Sequence, residues 1–103
     1  MEATWVWPER EQLDRTCIEA WEELAEALHQ NGDLQAAVQA CQEALKIDPS
    51  CENIHRLAMQ LHAELGDKLG IIWQYRACRE ALRSELDIDP SIETEALYQR
   101  LTA

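Results

Sequence analysis

Residues 31–33 read Asn31-Gly32-Asp33, and residues 65–67 read Leu65-Gly66-Asp67, thirty-four positions later. Each Gly-Asp pair lies between two stretches of helical pattern. Gly is the natural left-handed stop of a helix. An Asp directly after it can cap the next helix by accepting from its free N–H groups. A helix–turn–helix unit at a period of about 34 residues marks a repeat protein, in which each unit buries its apolar face against a neighbour. Such stacks offer their surfaces to other proteins, so binding or assembly is the first expectation, ahead of catalysis.

Outward from the two turns, apolar residues recur at steps of three and four. The pattern predicts a first helix from Pro8, which suits a first helical turn, to about His29. Leu13, Cys17, Trp21, Leu24 and Leu28 would face inward. A second helix runs from about Leu34 to Ile47, with Ala37, Val38, Cys41, Ala44 and Leu45 inward. Asp48-Pro49-Ser50 ends it, because a residue before Pro is pushed out of the α region. The third helix runs from about Cys51 to Leu65, on Ile54, Leu57, Ala58, Leu61 and Leu65. The fourth, capped by Asp67, continues to about Leu86 and carries Ile71, Ile72, Tyr75, Cys78, Leu82 and Leu86. Asp89-Pro90-Ser91 breaks the chain again. A short fifth helix from about Ile92 to Leu101 presents Leu97, Tyr98 and Leu101. No strand pattern, linker or low-complexity segment interrupts this order.

The first unit resembles a tetratricopeptide repeat. Trp21, Leu24, Ala25 and Leu28 precede the Gly32 turn, and Ala37, Cys41, Ala44 and Pro49 follow it at that family's spacing. Small residues at Ala25, Ala37 and Ala44 let the two helices approach closely. In the second unit His55, Met59 and His62 stand opposite Trp21, Ala25 and Leu28, and Pro90 follows Pro49 by forty-one residues, so the fourth helix is longer. The expected fold is all-α: a tetratricopeptide-like right-handed helical stack of two helix–turn–helix repeats plus a C-terminal capping helix, about five helices. Residues 1–103 would form a single domain, with repeat one at about 17–50, repeat two at about 51–90 and the cap at about 91–101.

The specialised second unit resembles a more particular family. His55-Arg56-Leu57, Gly66-Asp67, Tyr75, Leu82, Leu86, Ile88-Asp89-Pro90-Ser91, Glu95, Leu97-Tyr98 and Leu101 are similar to the bacterial transcriptional activator domain. That is the helical domain of the antibiotic-regulatory type of transcription factor. Trp7-Pro8-Glu9-Arg10 resembles the entry to that domain's first helix. The resemblance covers about residues 5–101, and Gly70 and Ile71 depart from the usual small-residue pattern. It implies a domain that follows a winged-helix DNA-binding domain and assists dimerisation and activation. The chain itself shows no strand pair and no basic recognition helix. DNA contact is therefore expected only through a missing N-terminal domain.

Composition sets limits in the same direction. The chain is 47% hydrophobic and 28% charged, with a net charge of −11. Phosphate binding needs clustered Lys and Arg, so this segment is a poor nucleic-acid binder, and anionic membrane surfaces are disfavoured too. Residues 1–51 carry a net −8 and residues 52–103 a net −3, so a basic partner would meet the first half more readily. No apolar run approaches the roughly 18 residues of a membrane span, and Met1-Glu2-Ala3 does not open a signal peptide. Cys17, Cys41, Cys51 and Cys78 show no C-x-x-C spacing and read as reduced small apolar residues of a cytoplasmic protein.

No catalytic set and no cofactor motif appears. Ser50 and Ser91 follow Pro at helix starts, where capping accounts for them. Cys51, His55 and His62 share a face of the third helix, but the outer two would lie about 16 Å apart along its axis, too far for one metal ion. The His are expected to fill groove positions facing the first helix or solvent. The carboxylates Glu22, Glu23 and Glu26 read as a solvated face, or as an acidic docking surface for a basic partner.

The candidate partner-binding residues are Trp5, Trp7, Trp73, Arg76, Arg79 and Arg83. Arg76, Arg79 and Arg83 form a basic stripe at steps of three and four. They either pair with local carboxylates, Arg76 with Glu80, or dock an acidic partner such as the first helix of another copy. Trp73 lies one step off Ile72 and belongs either to an interface or to internal packing. Trp5 and Trp7 suit internal packing or a dimer seam. The leading function is an interaction and assembly domain of a bacterial transcriptional regulator, with protein partners that include a possible homodimer and the transcription machinery. The alternative is a generic tetratricopeptide adaptor or scaffold. Its carboxylate-clamp variety is disfavoured, because Ala25-Glu26-Ala27 stands where Lys and Asn would be needed.

Overall fold

A computed structural model describes residues 2–103, with side chains described from residue 11 onward. Five helices follow in order: α1 (Glu2–Gln30), α2 (Leu34–Ile47), α3 (Glu52–Glu64), α4 (Lys68–Leu86) and α5 (Ile92–Thr102). No strand occurs among the described residues. α1 packs on α2, α2 on α3 and α3 on α4, while α5 folds back against both α3 and α4. The architecture is the all-α helical stack that the repeat spacing predicts.

The two Gly-Asp turns are built alike. Gly32 and Gly66 hold φ of +82° and +72°, which only Gly adopts without strain. Asp33 N–H donates to the Leu28 carbonyl and Asp67 N–H to the His62 carbonyl, both at 2.9 Å, closing the preceding helix. The Asp33 carboxylate then accepts from Ala36 N–H at 3.4 Å, and that of Asp67 from Gly70 N–H at 2.9 Å. Asp48, held extended by Pro49, ends α2. α4 ends on Asp87 at φ 55°, left-handed without a Gly. Ser91 caps α5 by accepting from Thr94 N–H.

Three expectations change. α1 begins at Glu2 and runs through Pro8. Its inward face is Ile18, Trp21, Ala25 and Leu28, whereas Leu13, Cys17 and Leu24 are exposed. The shift follows from α2: small Ala25 is fully buried in one cluster with Ala37 and Ala44, and α2 has 14 residues against 29 in α1. Leu13 and Cys17 have nothing opposite them among the described residues. Third, Ser50 does not cap α3; Cys51 holds that position, and Ser50 instead donates from its N–H and hydroxyl to the Asp48 carboxylate.

The core lies in two parts that share α3. Ile54, Ala58 and Leu61 face α1 and α2, and Met59 joins Ile71, Tyr75 and Leu97 on the other side. Leu86, expected inward, is 55% exposed at the end of α4. Gly70 is explained by this second interface. A Cβ there would run into the His62 ring and the Asp67 carboxylate. Ala is the better helix former by about 1 kcal/mol, but His62 is largely enclosed and cannot step aside cheaply. Gly70→Ala is therefore expected to lower stability by about 1–2 kcal/mol in a urea melt. Adding His62→Ala should recover part of the loss in Gly70→Ala, the Asp67 contact remaining; strictly additive losses would refute the clash with the His62 ring.

Candidate partner-binding surfaces

α4 has two faces. Ile71, Tyr75, Cys78 and Leu82 are buried, while Leu69 and Trp73 are 65% and 62% exposed. Trp73 is thus on the outside, one step around the helix from half-buried Ile72. The Arg76 guanidinium lies 5.5 Å from the Trp73 ring centroid, a cation–π contact that holds the indole in place. The sequence-expected Arg76–Glu80 ion pair is not among those formed by the described residues. Arg83 bonds Asp89 across the α4–α5 turn at 2.6 Å. Arg76, Arg79, Glu80, Arg83 and Asp89 border a shallow hollow beside Trp73. Trp5 and Trp7 lie outside the residues whose side chains are described.

Between α2 and α4 runs a groove bordered by Gln42, Leu45, Pro49, Trp73, Gln74 and Ala77. Its floor is a polar relay. Gln42 donates to Gln74 at 3.3 Å, Gln74 donates to His55 Nδ1 at 2.8 Å, and His55 Nε2 meets the Pro49 carbonyl at 2.7 Å. A carbonyl can only accept, so Nε2 carries a proton, and with Nδ1 accepting from the Gln74 amide the ring is the neutral Nε2–H tautomer. Burial pushes the His55 imidazole below its usual 6.5, against the opposing pull of the Pro49 carbonyl, Glu52 and Asp48. His55 therefore faces α4 and the α2–α3 turn, where the sequence placed it toward the first helix or solvent.

The third surface is acidic. Glu11, Asp14, Glu19 and Glu22 of α1 and Asp48 of the α2–α3 turn, with Arg15 the one basic residue among them, rim a cleft of about 510 Å³ floored by Ile18, Ile47 and Cys51. Burial, then Glu26, Glu19 and Glu23, raise the Glu22 carboxyl above its usual value. Residues 11–17 of α1 are exposed throughout.

Reactive chemistry is not favoured at any of these places. Burial pushes the Cys41 and Cys78 thiols up to about 12, which keeps them protonated and inert. Among the described residues, no three His, Cys, Asp or Glu side chains are grouped to hold a metal ion. His55 is spent in its relay, and His62 Nδ1 is buried with Asp67 Oδ2 at 3.4 Å but without a hydrogen bond. No described helix is long and apolar enough to cross a membrane.

What fixes the second unit is a feature that a repeat alignment does not show: how α5 is fastened. Glu52 accepts from Thr94 Oγ1 at 2.6 Å and from Ser91 N–H at 2.9 Å, and Arg56 donates to Thr94 Oγ1 at 2.9 Å. The Tyr75 and Tyr98 rings stack with centroids 3.9 Å apart, and the Tyr75 hydroxyl donates to Glu95 at 2.6 Å. Ser91 belongs to the Ile88-Asp89-Pro90-Ser91 turn, and Thr94, Glu95 and Tyr98 to the Leu97-Tyr98 helix, held by Glu52 and Arg56 of α3 and Tyr75 of α4. The family model described as bacterial transcriptional activator domain matches residues 1–102. The chain belongs to that family. The activator domain is a regulatory domain of transcription factors, and the family is not one of enzymes. No curated protein and no solved structure matches the chain.

Proposed function

We propose that this activator domain is the protein–protein interaction and assembly domain of a cytoplasmic bacterial transcriptional regulator. It would draw DNA-binding domains together and present a surface to the transcription machinery. The two repeats, at about 17–50 and 51–90, and the cap at 91–101 act as one rigid platform. DNA recognition belongs to a separate winged-helix domain.

The observation that carries this reading is the outer face of α4. A tryptophan 62% exposed and held by a neighbouring Arg is an anchor without an internal partner. Nothing in the packing of α3, α4 and α5 requires Trp73 on that side. The groove between α2 and α4 favours a second reading, a scaffold that takes a partner's peptide beside Trp73.

The test tethers the chain to an unrelated DNA-binding domain upstream of a reporter promoter. Transcription is expected to rise several-fold and to fall back when Trp73→Ala and Arg79→Glu are introduced together. A folded, expressed chain that leaves the reporter at its basal level would overturn the activator reading and leave the scaffold one.

A further inference from the structure

We propose that the activator domain binds a second copy of itself, the Arg76/Arg79/Arg83 stripe of one copy seating on the acidic Glu19/Glu22/Glu26 face and cleft of α1 in the other. The proposal rests on the assembly reading above and names the surface and its occupant.

The acidic side is a helix with one flank uncovered. α1 has 29 residues and packs chiefly on α2, which has 14; α3 reaches only its C-terminal part, as in the His29–Glu64 contact. Residues 11–17 are exposed, and Leu13 among them is 66% exposed. Carboxylates here crowd one another: Glu22 is raised by partial burial and then by Glu26, Glu19 and Glu23. No Lys or Arg of the described residues forms an ion pair with any of the four. Such a cluster gains most from a cation brought in from outside, because each guanidinium relieves repulsion as well as adding attraction.

Among the described residues, α4 is the helix best suited to supply it. α4 holds Lys68, Arg76, Arg79 and Arg83 against Glu80 and Glu85, a net positive helix in a chain of net −11. Within one copy the two sets are kept apart, since α1 packs on α2 while α4 packs on α3 and α5. The spacings agree. Arg76, Arg79 and Arg83 recur at steps of three and four, and so do Glu19, Glu22 and Glu26. Side by side, two helices with that common register set three guanidinium groups against three carboxylates, each over a rise of about 10 Å. Trp73, at the end of the stripe, supplies the apolar contact, and the cleft floored by Ile18, Ile47 and Cys51 supplies a place for it.

The two surfaces differ, so the contact is heterologous. Two of them related by a two-fold axis close a dimer, and otherwise they build a ring or a chain of copies. Nucleic acid is the poorer occupant of the stripe, because Glu80 and Asp89 lie within it and the chain as a whole repels phosphate.

Sedimentation across protein concentration, at low and high salt, tests the contact. The wild-type mass is expected to rise from the 11.9 kDa of one copy to about twice that or more at low salt, and to return toward one copy at high salt. Arg79→Glu/Arg83→Glu should stay at the single-copy mass, and so should Glu19→Lys/Glu22→Lys with its charge still unopposed. Mixed with wild type, each variant keeps one competent surface and should associate. Circular dichroism melts confirm that both variants fold. A wild type that stays at 11.9 kDa throughout, or an Arg79→Glu/Arg83→Glu variant that associates as wild type does, overturns the proposal. The tethered reporter separates the two failures: a monomer that still activates transcription overturns this contact alone and leaves the regulator reading standing.

Discussion

His55→Ala is expected to destabilise the activator domain by about 2–4 kcal/mol, through a cavity and two polar groups left without partners. The ring is 2% exposed and lies between Gln74 and the Pro49 carbonyl. A denaturant midpoint shift at constant slope measures the loss. The pH dependence identifies its cause. In the unfolded chain this His takes up a proton near 6.5, its ordinary value, while in the folded chain it does so only at lower pH. The unfolded state thus binds more protons across the interval between the two values. Stability is present in full above about 6.5 and falls as pH drops from there to the folded value. Below that value this His contributes no further slope.

Protonation is resisted by geometry as well as burial. A proton on Nδ1 would face the Gln74 amide N–H that now donates to it. Turning that amide around would set its NH2 against that of Gln42. The charged groups nearest the ring, Glu52 and Asp48, oppose this but do not reverse it. Subtracting the stability curve of His55→Gln from that of wild type, between pH 7 and 5, isolates the contribution. A flat difference would refute the relay as the origin of acid sensitivity.

Glu52→Ala is expected to release α5 at a cost of about 2–3 kcal/mol. The carboxylate is the one acceptor shared by Ser91 N–H and Thr94 Oγ1, and Thr94 is fully buried. Truncation leaves the Thr94 hydroxyl with Arg56 and with Ser91 at 3.2 Å, and leaves Ser91 N–H without its acceptor. The loss should be local. Amide hydrogen exchange is expected to speed up across Ile92–Thr102 well before it does in α2, where the packing is unchanged. Uniform acceleration, or none in α5, would show that the Tyr75–Tyr98 stack holds the helix without Glu52. This anchor also titrates in its own window. Burial by itself would raise the Glu52 carboxyl, but the hydrogen bonds from Thr94 and Ser91 and the charge of Arg56 outweigh it and hold the group below its usual 4.5. Its contribution is therefore present above about 4.5 and lost as pH falls through the lower folded value, apart from the His55 interval.

The candidate surfaces differ in how far they can be read from residue order. The stripe Arg76, Arg79, Arg83 is a local pattern on one helix. That Arg76 turns to Trp73 rather than Glu80, and that Arg83 reaches Asp89, depends on side-chain competition at the surface and on the left-handed Asp87 that folds the chain back. The His55 relay joins residues 42, 49, 55 and 74, and no local pattern signals it. One clue was present: His55 stands where the first repeat has Trp21, and a polar ring in a core position needs polar partners.

By itself the sequence determined the number, order and ends of the helices from α2 onward to within about two residues. Those ends are written locally, in Gly32 and Gly66, in Asp33, Asp67 and Ser91, and in Pro49, each acting on backbone within a few positions of itself. It also determined the stacking, because the thirty-four-residue period repeats a unit that cannot bury its apolar face alone. Only the tertiary structure decided which face of α1 turns inward. Two apolar stripes compete on that helix, Leu13–Cys17–Leu24 and Ile18–Ala25–Leu28, and hydrophobic periodicity accepts either. The choice is made by α2, whose small residues bury Ala25 among them and whose 14 residues end before Leu13. The same holds for Glu52 and Thr94, forty-two positions apart: their meeting is a property of how α5 closes on α3, and it exists only once the helices have packed.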